Sequence, residues 1–197
     1  MQNPSAPPVI LASSSRHRRG LLERFLDDFE TVSPQVDETP GAGEQPLALV
    51  SRLARAKAES VSSRQRDALV IGSDQVAVLD ERMLGKPGDH LAAIDQLLAA
   101  SGKSLCFLTA ICILEPRSRH RFEHVDTTVV RFRRFDRRLA ETYLRRDQPY
   151  DCAGSFRIEG AGFVLFESVK SEDPTALIGL PMIWLAGRLL DAGYLLS

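Results

Sequence analysis

The sequence predicts an α/β protein built on a mixed sheet. Three observations carry that expectation. Apolar, β-branched runs such as LVIGSDQVAVL, Leu69–Leu79, read as buried strands. Stretches with apolar residues at helical spacing lie between them, opened by a capping residue or a proline. The two kinds of element alternate irregularly, with a hairpin-like pair of strands late in the chain.

In order, PVILASSS is a short strand that ends in hydroxyl side chains. SRHRRGLLERFLDDF is a helix with Ser15 as N-cap, because Leu21, Leu22, Phe25 and Leu26 fall on one face. FETVS is a second short strand, and VDETPGAGEQP is a loop marked by Pro40, Gly41 and Gly43. Pro46 suits the first turn of a helix that runs to about Ser62. The long strand at residues 69–79 turns at Asp80-Glu81. LGKPGD is a loop, with Asp89 capping a helix through Ala100. SLCFLTAICILE and HRFEHVDTTVVRF form a strand pair joined around PRSR. Asp136 starts a helix to about Arg146. CAGSFRIEGAGFVLFESVK is glycine-punctuated and then strand-like, DPTALIGLP is a loop, and Pro181 opens a last helix to about Ala192. No internal repeat or long linker divides residues 9–197, so they are expected to form one domain, with residues 1–8 a flexible tail.

Bulk properties narrow the functional classes. The 197 residues are 44% hydrophobic and 26% charged, as in ordinary soluble domains. A formal net charge of −1 gives no global field toward nucleic acid or membrane, so no nucleic-acid partner is expected. Cys106, Cys112 and Cys152 form no CxxC pair, and an odd count suits a reducing cytoplasm. MQNPSAPPVILASSS lacks a basic start and a long apolar core, so no signal peptide is expected; no segment reaches the roughly 18 apolar residues of a membrane span.

Asp74 poses the sharpest question, because an uncompensated carboxylate inside a strand is costly. It shares a strand face with Val70, Gly72 and Val76, and Gly72 marks close approach of a ligand or a backbone. Gln75 faces the other way. Lys57 follows the stripe Val50, Leu53, Ala54 on its helix, so it either snorkels or points into a site. Asp37 and Glu38 lie in a turn-rich loop and can hold a hard cation such as Mg²⁺ if they find partners. ASSSRHRR, residues 12–19, offers hydroxyls, a helix start and arginines to an anion, although taken by itself an ordinary N-cap with solvated arginines accounts for it better. Lys86 sits on the loop LGKPG. His120 and His124 lack the pattern of a zinc site. RFRRFDRR, residues 131–138, could touch RNA but also fits a half-buried strand with a solvated face. Cys152 reads as structural.

Together these pieces resemble the Maf family of nucleoside triphosphate pyrophosphatases. ILASSSxxRR, VDET, RLARAKA, IGSDQV, GKP, CAGSF with EGAG, and DPTALIGLP occur in the family's order, from Ile10 to about Gly193. The resemblance implies an inosine-triphosphatase-like fold, a mixed twisted sheet with flanking helices and two lobes around a cleft, often as a homodimer. It implies hydrolysis of a nucleoside triphosphate between its α- and β-phosphates, releasing a monophosphate and pyrophosphate with the help of a divalent cation, Mg²⁺ or Mn²⁺. By position, Asp74 matches the catalytic aspartate and a metal ligand, and Glu38 matches a second metal ligand. Ser13, Arg18, Lys57 and Lys86 match substrate-binding positions. Gln75, Glu159, CAGSF and LIGLP are similar to the subgroup acting on 7-methyl-GTP. His17 departs from it: the subgroup's Ser-Pro-Trp-Arg-Arg is here Ser15-Arg16-His17-Arg18-Arg19, which removes a flat surface for purine stacking. Glu159 could favour the positive charge of a methylated guanine. The competing expectations are a dTTP/UTP or broad modified-nucleotide pyrophosphatase, and a nucleotide-binding cell-division regulator without turnover.

Overall fold

The computed structural model describes residues 6–116 and 120–195. The expected connection PRSR therefore lies largely outside the described residues, as do residues 1–5 of the expected tail. Among the described residues the strands are β1 (Val9–Ala12), β2 (Glu30–Thr31), β3 (Leu69–Leu79), β4 (Arg82–Leu84), β5 (Ser104–Leu114), β6 (Arg121–Phe132) and β7 (Phe166–Lys170). The α-helices are α1 (Arg16–Leu22), α2 (Pro46–Ser62), α3 (His90–Ala100), α4 (Arg137–Asp147) and α5 (Met182–Asp191). Among the described residues no helix is long and apolar enough to cross a membrane.

The strands form one mixed sheet in the order β2-β1-β3-β5-β6-β7, with β4 also paired to β3. β1 runs parallel to β2 and β3, whereas β4 and β7 are antiparallel to β3 and β6. The pairs Ile10–Val70 and Ala12–Gly72 set the register of β1 against β3. Leu11 and Ile71 consequently share the opposite face and join a core with Leu22, Leu26, Leu185 and Leu189.

The chain clusters into two compact units, made from the described parts of Met1–Asp74, Thr109–Asp126 and Asp173–Ser197, and of Gln75–Leu108 and Thr127–Glu172. The first unit is built on the aliphatic core just described. The second has an aromatic centre, where Phe156 meets Phe107, Phe132 and Phe166 edge-on with centroids 4.7–5.6 Å apart.

Several elements differ from expectation for identifiable reasons. α1 stops at Leu22, and the N–H groups of Arg24 and Phe25 bond back three residues, to Leu21 and Leu22. Asp27 and Asp28 follow, and acidic groups oppose the negative C-terminal end of a helix dipole. The chain must also turn there to bring Glu30 beside Ile10. β2 keeps only two residues of FETVS. β4 is an unexpected strand. It closes a two-residue hairpin whose Asp80 and Glu81 both take positive φ, 47° and 68°, without the Asn or Gly that usually signals such a turn. At the described end of the tail, the Pro7 carbonyl accepts from Tyr194 Oη at 2.6 Å and that of Pro8 from Leu69 N at 2.9 Å.

α2 lies on the Gly72 face of β3 with almost no clearance. A Cβ at residue 72 would overlap the Ala54 carbonyl oxygen and stand 2.6 Å from the Ala58 nitrogen. Both obstacles are helix backbone, which cannot step aside without moving the helix. Gly72→Ala is therefore expected to lower unfolding stability by about 3 kcal/mol, at the upper end of overpacking costs. Gly20→Ala, where nothing lies within 4 Å of the new Cβ, is the tolerated control. Urea titration of the two variants checks this, and an unchanged midpoint for Gly72→Ala would contradict the close approach.

Candidate active site

Lys57 projects from α2 onto the same face of β3, one turn from Ala54. Its exposure is 5%, so it does not snorkel to water. Nζ instead stands 2.7 Å from Asp74 Oδ1 and 2.8 Å from Glu38 Oε1. Asp74 is itself 8% exposed, and β3 continues for five residues beyond it, which excludes the reading of a carboxylate at a solvated strand end. Glu38 is different, with a side chain 58% exposed. One ammonium thus joins a buried carboxylate to an accessible one.

The loop carrying Glu38 is stapled to α2. Arg52 grips Glu44 with one edge of its guanidinium, Nε donating at 2.7 Å and Nη2 at 2.8 Å, and Nη2 also donates to the Thr39 carbonyl at 3.2 Å. The Glu44 carboxylate also accepts from Gly41 N, and the Asp37 carboxylate accepts from Thr39 N, both at 2.9 Å. The Arg52 hydrogen bond is the main reason that the Glu44 pKa is depressed to about 2, with the Gly41 N–H assisting. The folded value lies below the ordinary 4.5, so this staple is complete above pH 4.5 and is lost as pH falls toward 2. Neither Arg52 nor Glu44 stands out in the sequence beyond the basic stretch RLARAKA.

The start of α1 supplies the next groups. Ser13 is 5% exposed and its hydroxyl oxygen accepts from Ser15 N at 3.1 Å. Ser15 caps α1 as expected, accepting from Arg18 N at 3.4 Å. Arg18 donates from Nε to the Gly179 carbonyl at 3.0 Å, and Ser73 Oγ donates to the same oxygen at 2.9 Å. Burial lowers the Arg18 pKa from its ordinary value, opposed by the charges of Asp74 and then Glu38. Gly179 is at φ 134°, and a Cβ there would lie 3.2 Å from Arg18 Cγ. The glycine of LIGLP therefore makes room for the arginine, a role that the loop's composition did not show. His17 is half-buried in the first turn of α1.

Ser13, His17, Arg18, Glu38, Lys57 and Asp74 all belong to the first unit. Gln75, Lys86 and Glu159 belong to the second. Gln75 is partly buried on the strand face opposite Asp74, while Lys86 and Glu159 are exposed on loops. Elsewhere, Arg131 and Arg137 of the basic run pair with Glu167 and Glu141, and Arg133 donates to the Phe166 carbonyl. His124 stacks on Trp184, and His120 lies 3.8 Å from Glu115.

Cys112 is buried, and Cys106 and Cys152 are partly buried. Burial raises all three pKa values, to about 12 for Cys112 and Cys152, against an ordinary 9.0. At pH 8 the thiolate fraction of those two is then about a thousandfold below that of a free thiol, and it rises with pH. Iodoacetamide should label Cys112 and Cys152 much more slowly in the native protein than in the denatured chain, as followed by peptide mass spectrometry. Ordinary labelling at pH 8 would contradict the burial argument.

Comparison with known proteins identifies the family. The family model described as "Maf-like protein" matches residues 8–192. A protein of Cupriavidus metallidurans named 7-methyl-GTP pyrophosphatase is 47% identical over 194 residues, covering 98% of each chain. Proteins of the same name from Nitrosococcus oceani and Xanthomonas axonopodis pv. citri are 46% and 50% identical. They cover 98% and 95% of this chain and 98% of their own lengths. The ordered motifs, the α/β architecture and these matches over nearly the whole length make the chain a member of the Maf family.

Proposed function

We propose that this protein is a metal-dependent nucleoside triphosphate pyrophosphatase that cleaves the α–β phosphoanhydride, with 7-methyl-GTP its favoured substrate. The observation that carries the reading is the convergence of Asp74 and Glu38 on one buried ammonium. The names of the similar proteins point to the same reaction and substrate.

The carboxylates fit a divalent cation. They offer only oxygen donors, which suit Mg²⁺ or Mn²⁺, and they already gather around one positive charge. Bound there, the ion would neutralise charge on the phosphate oxygens. Asp74 orients the attacking water and takes its proton as the water oxygen bonds to phosphorus and the anhydride oxygen leaves with pyrophosphate. Lys57, Lys86 and Arg18 hold phosphate oxygens. The bond from Ser15 uses an acceptor lone pair of Ser13, which leaves the hydroxyl hydrogen for a phosphate. Glu159 favours the positive charge of 7-methylguanine, and Gln75 and His17 complete the base-selecting set. The three free thiols suit a cytoplasmic enzyme.

The test is pyrophosphate release from a panel of canonical and modified nucleotides with Mg²⁺ or Mn²⁺. 7-methyl-GTP should give the highest kcat/KM, and chelation should abolish turnover. Asp74→Asn should fold yet lose at least about two orders of magnitude in kcat. Nucleotide binding without turnover by the native protein would instead favour a sensing role, and unchanged turnover in Asp74→Asn would remove this carboxylate from the chemistry.

A further inference from the structure

Glu159 stands on a loop whose two flanks are tied to one face of α4. Ahead of it, Arg157 N donates to Tyr143 Oη at 2.9 Å; behind it, Ala161 N donates to Asp147 Oδ2 at 2.6 Å. Tyr143 and Asp147 are four residues apart, so one helical turn presents both acceptors on a single face. Both side chains are buried, Tyr143 at 2% and Asp147 at 9% exposure.

The loop is shaped for this contact. A Cβ on Gly160 would overlap Asp147 Oδ2 and lie 3.0 Å from its Cγ. A Cβ on Gly162 would overlap the Arg157 carbonyl, because the loop folds back on itself there. The Arg157 guanidinium returns to the helix as well, donating from Nη2 to the Asp147 carbonyl. Burying a carboxylate costs more than it gains unless its oxygens are used, and here one accepts from the loop N–H two residues beyond Glu159.

We propose that Asp147 and Tyr143 are positioning residues for substrate selection, clamping the backbone on both sides of Glu159 so that its carboxylate meets the base in a fixed place. The inference rests on the assignment of Glu159 to base selection. It assigns no contact with substrate to either clamp residue. A selective group held by a supporting shell discriminates better than one on a loose loop.

The experiment measures kcat and KM for 7-methyl-GTP and GTP in Glu159→Gln, Asp147→Ala, Asp147→Asn, Tyr143→Phe and the Glu159→Gln/Asp147→Ala double variant. Glu159→Gln should reduce the preference for 7-methyl-GTP by about tenfold or more, the scale of one charge-assisted contact. Asp147→Ala should lose a similar preference through KM for 7-methyl-GTP, with its kcat within about twofold. Asp147→Asn keeps an oxygen for Ala161 N and should recover most of it, and the double variant should lose no more than Glu159→Gln alone. If Asp147→Ala does not fold, as circular dichroism would show, Tyr143→Phe carries the same comparison. Lost preference in Glu159→Gln with none lost in the folded clamp variants overturns the clamp and spares the assignment of Glu159. Undiminished preference in Glu159→Gln overturns both.

Discussion

Lys57 Nζ lies between Asp74 and Glu38, and the first of these contacts is buried on both sides. Two charges withdrawn from water lose hydration that their mutual attraction only partly returns. Removing either partner is worse, because it strands the other without compensation. The pair therefore constrains its surroundings: α2 must stay close to β3, and the Glu38 loop must stay close to α2. The same arrangement gives the proposed chemistry its starting point, with two carboxylates gathered round a positive charge.

Local features support that constraint from each side. Gly72 removes the Cβ that would hold α2 away, and the neighbouring Ala54 and Ala58 present small side chains or bare backbone to the strand. Arg52 and Glu44 tie down the loop that brings Glu38 to the lysine. Ser73 and Arg18 share the Gly179 carbonyl, which anchors the guanidinium beside the strand residue that precedes Asp74. A set of ordinary hydrogen bonds thus supports one costly ion pair.

How much of this was readable varies with the range of the interaction. The bounds of β3, α2 and α3 follow from local pattern, because an apolar run, a first-turn proline and the Asp89 cap act within a few residues. α1 was too long in expectation because its apolar spacing continues through Phe25 and Leu26, which remain buried after the helix has ended. The turn at Asp80-Glu81 is legible, but the return strand β4 is not, because it is only three residues long and the turn lacks the Asn or Gly that usually signals a hairpin. In the site, Asp74 announced itself by clashing with its apolar neighbours. Its partner did not: Lys57 is seventeen positions away, and whether it snorkels or turns inward depends on how closely the helix packs. The family motifs brought the two together before the geometry did. Residues that act through a single carbonyl or carboxylate, such as Gly179 and Arg52, carry no comparable signal.

The most direct measurement is a double-mutant cycle on the buried pair, read as unfolding free energy in urea. Lys57→Met should cost about 3 kcal/mol by leaving Asp74 uncompensated, and adding Asp74→Asn to it should restore most of that loss. Strictly additive effects, or a Lys57→Met protein as stable as the original, would contradict the claim that this ammonium is what makes the carboxylate tolerable.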